Sequence, residues 1–235
     1  KTAYEISLGL VGSEMCIRDR NTANVFNMAY MFTAATSFNQ DLNSWDTSSV
    51  KQMQGMFNEA SSFNGNISNW NTSKVDTMVG MFFGASSFNQ NVDNWDISNV
   101  FSTAYSFAYA TSFNQPLESW DTSNVQNMGY MFDGASEFNQ DISNWNTQNV
   151  TNMAGMFQLN SYNRDISSWN TAKVTNMSAM FSNNSSFNQN ISNWDVSKVT
   201  EMQYMFRNAS SFNADLSQWD TSSAQNMIYM FQNAT

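Results

Sequence analysis

FNQDISNWNTQNVTNMAGMF, running from Phe138 to Phe157, is the clearest copy of a unit that returns along almost the whole chain. With small variations it recurs from about residue 21 to the last residue. The phenylalanine closing each Met-Phe or equivalent pair falls at 32, 57, 82, 107, 132, 157, 181, 206 and 231. Those steps are 25 residues, apart from one step of 24 between Phe157 and Phe181. All eight tryptophans keep the same period: Trp45, Trp70, Trp95, Trp120, Trp145, Trp169, Trp194 and Trp219. A fixed period of this size marks a repeat array in which no unit can bury its apolar face alone.

Two spacings alternate inside a unit. Val50, Met53, Met56, Phe57 and Ala60 fall at i, i+3, i+6, i+7 and i+10, which places them on one stripe of a short helix. Asp46-Thr47-Ser48 precedes them with residues that cap helix starts. Gly84 and Gly134 follow the phenylalanine of their units, where a helix C-terminus accepts glycine. The other half reads as extended chain and turn: Phe38, Leu42 and Trp45 return as Phe63, Ile67 and Trp70, and onward to Phe212, Leu216 and Trp219. Two residues after the tryptophan comes Thr in six units and Ile97 or Val196 in the other two, the exchange expected of a β-branched, part-buried strand position. The pattern therefore predicts an α/β solenoid, with a short parallel strand around Trp-x-Thr plus a short helix per 24–25-residue repeat. Residues 21–235 are read as one such array of about nine units, incomplete at both ends. Residues 1–20 share nothing with the period and are set aside as a sequencing or assembly artefact or an unstructured head.

Composition narrows the function. Charged residues make up only 12% of the 235 residues, so the polar surface must be built from Asn, Ser, Thr and Gln. Aromatics at 15% argue against disorder, because such side chains can offset the entropy of ordering. A net charge of −10 without a basic patch excludes a phosphate-binding surface for nucleic acid. Histidine is absent, which removes the commonest general base and metal ligand. The single cysteine, Cys16, lies in the head, leaving the array no disulfide and no thiol metal site. No run approaches the roughly 18 apolar residues of a membrane span. No unit groups an acid with a base, so no catalytic, cofactor-binding or metal-binding residue is expected, and the chain is read as not an enzyme.

The recurrent residues are expected to be structural. The eight tryptophans, with Phe57, Phe82, Phe132, Phe157, Phe181 and Phe206, form the repeat core. A row of indoles at a fixed place in an apolar pattern is better buried than offered as sugar-stacking platforms. The sixteen methionines of the array fill that core. Asn39, Asn64, Asn89, Asn114, Asn139, Asn163, Asn188 and Asn213 form an internal amide ladder that satisfies turn backbone groups. Asp41, Asp141, Asp165 and Asp215 exchange with Asn66, Asn91, Pro116 and Asn190, which suits solvated turns better than calcium loops. The unit around Phe107 has Thr103 and Ser106 in place of methionines and adds Phe101 and Tyr105, expected to refill the lost volume. The 24-residue unit drops one residue between Phe157 and Tyr162, in a loop where such a change is cheap.

The run F-N-Q-D-I-S-x-W-D-T-S-x-V-x-x-M-x-x-M-F-x-x-A resembles the bacterial surface-protein 26-residue repeat, a family of unknown function grouped with BspA-like leucine-rich repeats. The resemblance covers essentially all of residues 21–235. It implies a leucine-rich-repeat-like fold, a secreted, lipoprotein or wall-attached setting at the cell surface, and a role in adhesion; it carries no catalytic residues. The first function expected is a non-catalytic surface scaffold that binds an unidentified protein or glycan, with no nucleic acid and no membrane insertion within these residues. The alternative is a binder of a periodic surface, ice or crystalline polysaccharide. That reading draws on the hydroxyls of Thr47, Thr72, Thr122, Thr147, Thr171 and Thr221.

Overall fold

The computed structural model describes residues 20–234, and among the described residues there is no helix. The expected α/β fold with a helix in each repeat is overturned. So is the strand at Trp-x-Thr, because extended pairing is confined to one residue per repeat, elsewhere in the unit. Asn27, Gln52, Thr77, Ser102, Asn127, Asn152, Asn176, Glu201 and Asn226 bridge in parallel, each to its counterpart one repeat on. The repeats are thus coils stacked in register. The head set aside above lies outside the described residues, apart from Arg20.

The stacking distance explains why the helix fails. Phenylalanine rings of consecutive coils stand 5.4 Å (Phe32 to Phe57), 5.6 Å (Phe57 to Phe82) and 5.5 Å (Phe82 to Phe107) apart. That step is close to the ~4.8 Å between hydrogen-bonded strands. Packed helices need about 8–10 Å between their axes. A helix in every coil at this step would collide with the next one, so the Val-to-Ala segment must fold differently.

It folds as a run of β-turns. Met31, Thr33 and Ala35 donate their N–H groups to the carbonyls of Met28, Tyr30 and Phe32, at 3.3, 3.2 and 3.1 Å. The donors between them cross to the next coil: Met28, Tyr30, Phe32 and Ala34 donate to the carbonyls of Gln52, Gln54, Met56 and Asn58, at 2.9, 3.0, 2.8 and 2.7 Å. The first and third turns need a positive φ at their third residue, and Tyr30 (59°) and Ala34 (56°) supply it. The same two positions are left-handed in every coil, filled by five glycines and thirteen other residues. Each non-glycine residue there costs roughly 1–2 kcal/mol. The conformation persists because bonds to both neighbouring coils fix the backbone.

These turns aim Val50, Met53, Met56, Phe57 and Ala60 inward to meet Phe63, Ile67 and Trp70; none of the eight is more than 3% exposed. Phe57 stacks on Phe63 at 3.9 Å and lies 6.1 Å from Trp70, so three rings fill the cross-section of a coil and continue along the array. Burying each large apolar side chain contributes about 1.5–3 kcal/mol, and well-placed ring pairs add about 0.5–1.5 kcal/mol.

Both irregular units differ from expectation. The short coil is closed by a buried side chain rather than by slack in a loop. Asn160 occupies the alanine position and donates from Nδ2 to the carbonyls of Phe132 (3.2 Å) and Ala135 (2.6 Å), while its Oδ1 accepts the Tyr162 N–H at 2.6 Å. Asn184, fully buried, takes the alanine position of the following coil. Its Nδ2 donates to Tyr162 O at 3.0 Å, and its Oδ1 accepts from the N–H groups of Ser186 (3.1 Å) and Phe187 (3.0 Å). In the coil around Phe107, Thr103 and Ser106 are buried where methionines stand elsewhere. Ser106 Oγ donates to Met78 O at 2.8 Å, whereas Thr103 Oγ1 has no partner. Phe101 and Tyr105 do not refill the vacated volume: they turn outward, 49% and 39% exposed.

Tyr162 carries one misfit. It occupies the ring ladder 6.1 Å from Phe138, at a position that is phenylalanine in the other coils. It is fully buried and its hydroxyl lacks a partner; burial pushes its pKa upward. Tyr162→Phe removes the stranded hydroxyl and keeps the ring. It is expected to raise stability by about 1 kcal/mol, measured as a higher denaturant midpoint at unchanged slope.

Candidate functional site

The coat of the array is a mesh of amide and hydroxyl bonds, and most of the recurrent polar residues belong to it. Asn64 donates its backbone N–H to Asn39 Oδ1 at 2.7 Å, and the pattern continues to Asn213 on Asn188 Oδ1 at 2.9 Å. Gln90, Gln140 and Gln189 donate from Nε2 to the same ladder, onto the side-chain oxygens of Asn64, Asn114 and Asn163 at 3.0, 2.9 and 2.9 Å. This ladder is not internal: its members are half-buried or exposed. A second row of amides, including Asn94, Asn144 and Asn193, donates to carbonyls one coil back. The coils are therefore fastened along their outer edge by neutral side chains, the physical use of an Asn-rich, charge-poor composition.

Trp45, Trp70, Trp95, Trp120, Trp145, Trp169 and Trp194 are buried, and Trp219 is half-buried. From Trp70 onward each indole Nε1 donates to a carbonyl of the coil before, as Trp70 does to Leu42 at 3.0 Å and Trp145 to Leu117 at 2.9 Å. Phe57, Phe82, Phe132, Phe157, Phe181 and Phe206 are at most 1% exposed. Apart from the half-buried Trp219, none of these rings is available to a ligand. The threonine row also faces inward. Thr47, Thr72, Thr122, Thr147 and Thr171 are at most 2% exposed, and each Oγ1 donates to a carbonyl of the next coil, Thr47 to Asn71 O at 3.0 Å. Thr221, in the last coil, is half-buried. The periodic-surface reading thereby loses its motive.

The carboxylates serve turns. Asp41, Asp141, Asp165 and Asp215 each accept the N–H of the residue two further on, at 2.8–2.9 Å. For Asp141 the backbone N–H and hydroxyl of Ser143, with a smaller contribution from Arg164, hold the carboxyl below its ordinary range. Asn66, Asn91 and Asn190 make the same turn bond with an amide oxygen, at 2.9, 2.9 and 3.0 Å. Asp141→Asn is therefore expected to shift stability by less than about 0.5 kcal/mol, checked by denaturant melts with and without calcium. A larger loss, or a calcium-dependent one, would make these carboxylates ligands. Among the described residues, no group of three or more acidic or cysteine side chains is gathered to hold a metal ion. No helix among them is long and apolar enough to cross a membrane.

Away from the first and last coils, where Phe26, Tyr30, Ile228 and Tyr229 are exposed, a cluster of rings departs from the mesh, and it builds on the coil with the missing methionines. Tyr105 and Tyr130 sit one coil apart in the first left-handed column, and their rings stack at 4.9 Å, 4° from parallel. Tyr109 occupies the second left-handed column, and its ring lies over Gly134, where an added Cβ would stand 2.7 Å from ring carbon Cδ1. Tyr130 likewise lies over Gly155. Phe83 meets Tyr109 edge-on at 5.6 Å and Tyr105 at 6.4 Å. Next to these rings is Asp133, 5% exposed, with no hydrogen-bond partner for Oδ1. Burial pushes its pKa up to about 6, partly offset by the Tyr109 hydroxyl. Burial first, and the nearby Asp133 charge, raise the phenols of Tyr105 and Tyr109 in turn.

This cluster was not singled out from the sequence. The available signal was a tyrosine followed one period later by a glycine, Tyr109 then Gly134 and Tyr130 then Gly155, which leaves room for a ring to lie flat.

The family model described as "Mycoplasma protein of unknown function, DUF285" matches residues 12–110, 90–161 and 158–235. The chain belongs to the DUF285 family. Three matches in tandem agree with a repeat array, and the first begins at residue 12, within the segment set aside as a head. No curated protein and no solved structure matches the chain. DUF285 membership establishes a repeat family of unknown function; it does not reach the finer BspA-like grouping.

Proposed function

We propose that this DUF285 chain is a non-catalytic interaction scaffold at a cell surface, engaging a protein or glycan through the aromatic cluster of its central coils. The observation that carries the reading is the exposure of Phe101 (49%), Tyr105 (39%) and Tyr109 (40%) together on one central coil; the other exposed large apolar side chains among the described residues are Leu159 and those of the first and last coils, Phe26, Tyr30, Met227, Ile228, Tyr229 and Phe231. Folded chains rarely leave large rings together at the surface unless a partner covers them, and aromatic side chains are enriched at the centres of interfaces. Solenoid arrays commonly bind through one extended face, and a core filled with stacked rings keeps such a face rigid. The surface setting, secreted or lipoprotein, and the adhesive role rest on the resemblance of the repeat to BspA-like surface proteins.

The test compares the purified chain with a Phe101→Ser/Tyr105→Ser/Tyr109→Ser variant on protein arrays, glycan arrays and intact cells. Retention of the parent and loss of the variant, with melting unchanged, is the expected result. Equal retention of both would overturn the role of this cluster.

A further inference from the structure

The array contains its own model for what the aromatic cluster can hold. In the coil of Tyr204, the residue three positions on is Arg207, whose guanidinium stands 5.6 Å from the centre of the Tyr204 ring. A tyrosine of the first left-handed column is thus capped by a cation from the adjacent column, at a distance where ring and cation attract. Three coils earlier the same relation joins Tyr130 to Asp133. There the chain supplies an anion in place of the cation, and one coil before that the equivalent residue is the small Ala108.

Asp133 has no basic side chain among the groups that act on it, which are burial and the Tyr109 hydroxyl, and it acts in turn on Tyr105. A carboxylate this buried, with Oδ1 unpartnered, is incompletely compensated. Beside it stand the exposed rings of Tyr105 and Tyr109, in a chain of net charge −10. A phenol that interacts with a carboxylate is a more electron-rich platform, which strengthens its attraction for a cation. A neutral sugar would use the rings and leave the buried charge unanswered. The rings of Tyr105 and Tyr109 are exposed at the surface of the coil, where a free ammonium ion keeps its hydration, so the cation needs a tether.

We infer that the Tyr105, Tyr109 and Asp133 cluster receives a basic side chain, lysine or arginine, presented by a protein partner. The inference rests on the interaction-scaffold reading and names the chemistry of its partner. Phe101, exposed on the same coil, gives the partner an apolar contact beside the charged one.

The probe is a fluorescent peptide of alternating lysine and glycine, titrated against the whole chain by anisotropy at low salt, beside a glutamine-glycine counterpart. The lysine peptide is expected to bind and the glutamine peptide not to. Asp133→Asn is expected to weaken binding at least tenfold, and Tyr105→Leu, which alters no charge, at least fivefold. Asp41→Asn, which removes the same charge elsewhere on the surface, is expected to leave binding intact. Affinity should also fall as pH drops through about 6, where Asp133 takes up a proton. Equal weakening by Asp41→Asn would mean attraction to net charge alone and overturn the inference. So would choline displacing the peptide more readily than N-acetyl-lysine amide does, since the ligand would then be a free ammonium ion. If the peptide fails while glycan arrays retain the chain through Tyr105 and Tyr109, the basic-side-chain inference falls and the scaffold reading stands.

Discussion

Trp145→Ala is expected to cost about 3–5 kcal/mol and to turn one unfolding transition into two. Trp145 is 4% exposed at the middle of the indole row, between Trp120 at 6.3 Å and Trp169 at 6.4 Å, with Phe132 at 6.3 Å. Truncation removes contacts on both sides of one coil, because neighbouring rings cannot close a 5–6 Å step without breaking the backbone register. It also removes one of the two bonds to the Leu117 carbonyl, which accepts the indole N–H at 2.9 Å and keeps only the longer one from the Trp120 N–H at 3.3 Å, adding to the loss. In a stack where each coil touches only its two neighbours, weakening one interface lowers the coupling between the halves. Calorimetry of parent and variant, with hydrogen exchange to locate the break, measures both effects. A single transition shifted by less than about 1 kcal/mol would show that the coils are not coupled through their rings.

The period and the inward-facing columns were legible in the sequence because burial imposes them whatever the backbone does. Val50, Met53, Met56 and Phe57 recur in register and are fully buried, yet the i, i+3, i+6, i+7 spacing that suggested a helix is equally the spacing of linked β-turns with two left-handed residues per arc. Periodicity alone does not separate the two. The stacking step does, and it enters only when coils are laid on one another. A local signal existed all the same. Gly55, Gly80, Gly84, Gly134 and Gly155, with Asn183, Asn208 and Asn233, fall in just two columns, four residues apart, and both residue types favour positive φ. Gly84 and Gly134 were read as helix ends, right about the left-handed backbone and wrong about the helix. Asp133 was missed and Tyr105 was assigned to the core for the opposite reason: they break the repeat, and a reading built on recurrence passes over a departure or folds it back into the common pattern.

The short coil makes that last point measurable. Asn160→Ala is expected to cost about 3 kcal/mol, although it installs the residue that seven of the nine coils carry at this position. Asn160 is 5% exposed and ties three backbone groups, the carbonyls of Phe132 and Ala135 and the N–H of Tyr162. Only the Tyr162 N–H loses its partner outright, because the Phe132 carbonyl keeps the Ala135 N–H at 3.1 Å and the Ala135 carbonyl keeps the Phe138 N–H at 3.0 Å. A buried group left unpaired costs about 1–3 kcal/mol, and the two lost bonds to carbonyls that stay bonded add less, without full additivity at one shared site. Elsewhere this corner is closed by the backbone, Phe63 N–H to Ala60 O at 2.9 Å and Phe138 N–H to Ala135 O at 3.0 Å. Those turns have two residues between alanine and phenylalanine where the short coil has only Ser161. Inserting one serine after Ser161 in the Asn160→Ala background restores the common length and should recover more than half of the loss in denaturant melts. Recovery would establish that the amide stands in for a missing residue. No recovery, with the single substitution still costly, would mean that Asn160 stabilises the coil for another reason, and that the 24-residue unit is not a deleted copy of its neighbours in any energetic sense.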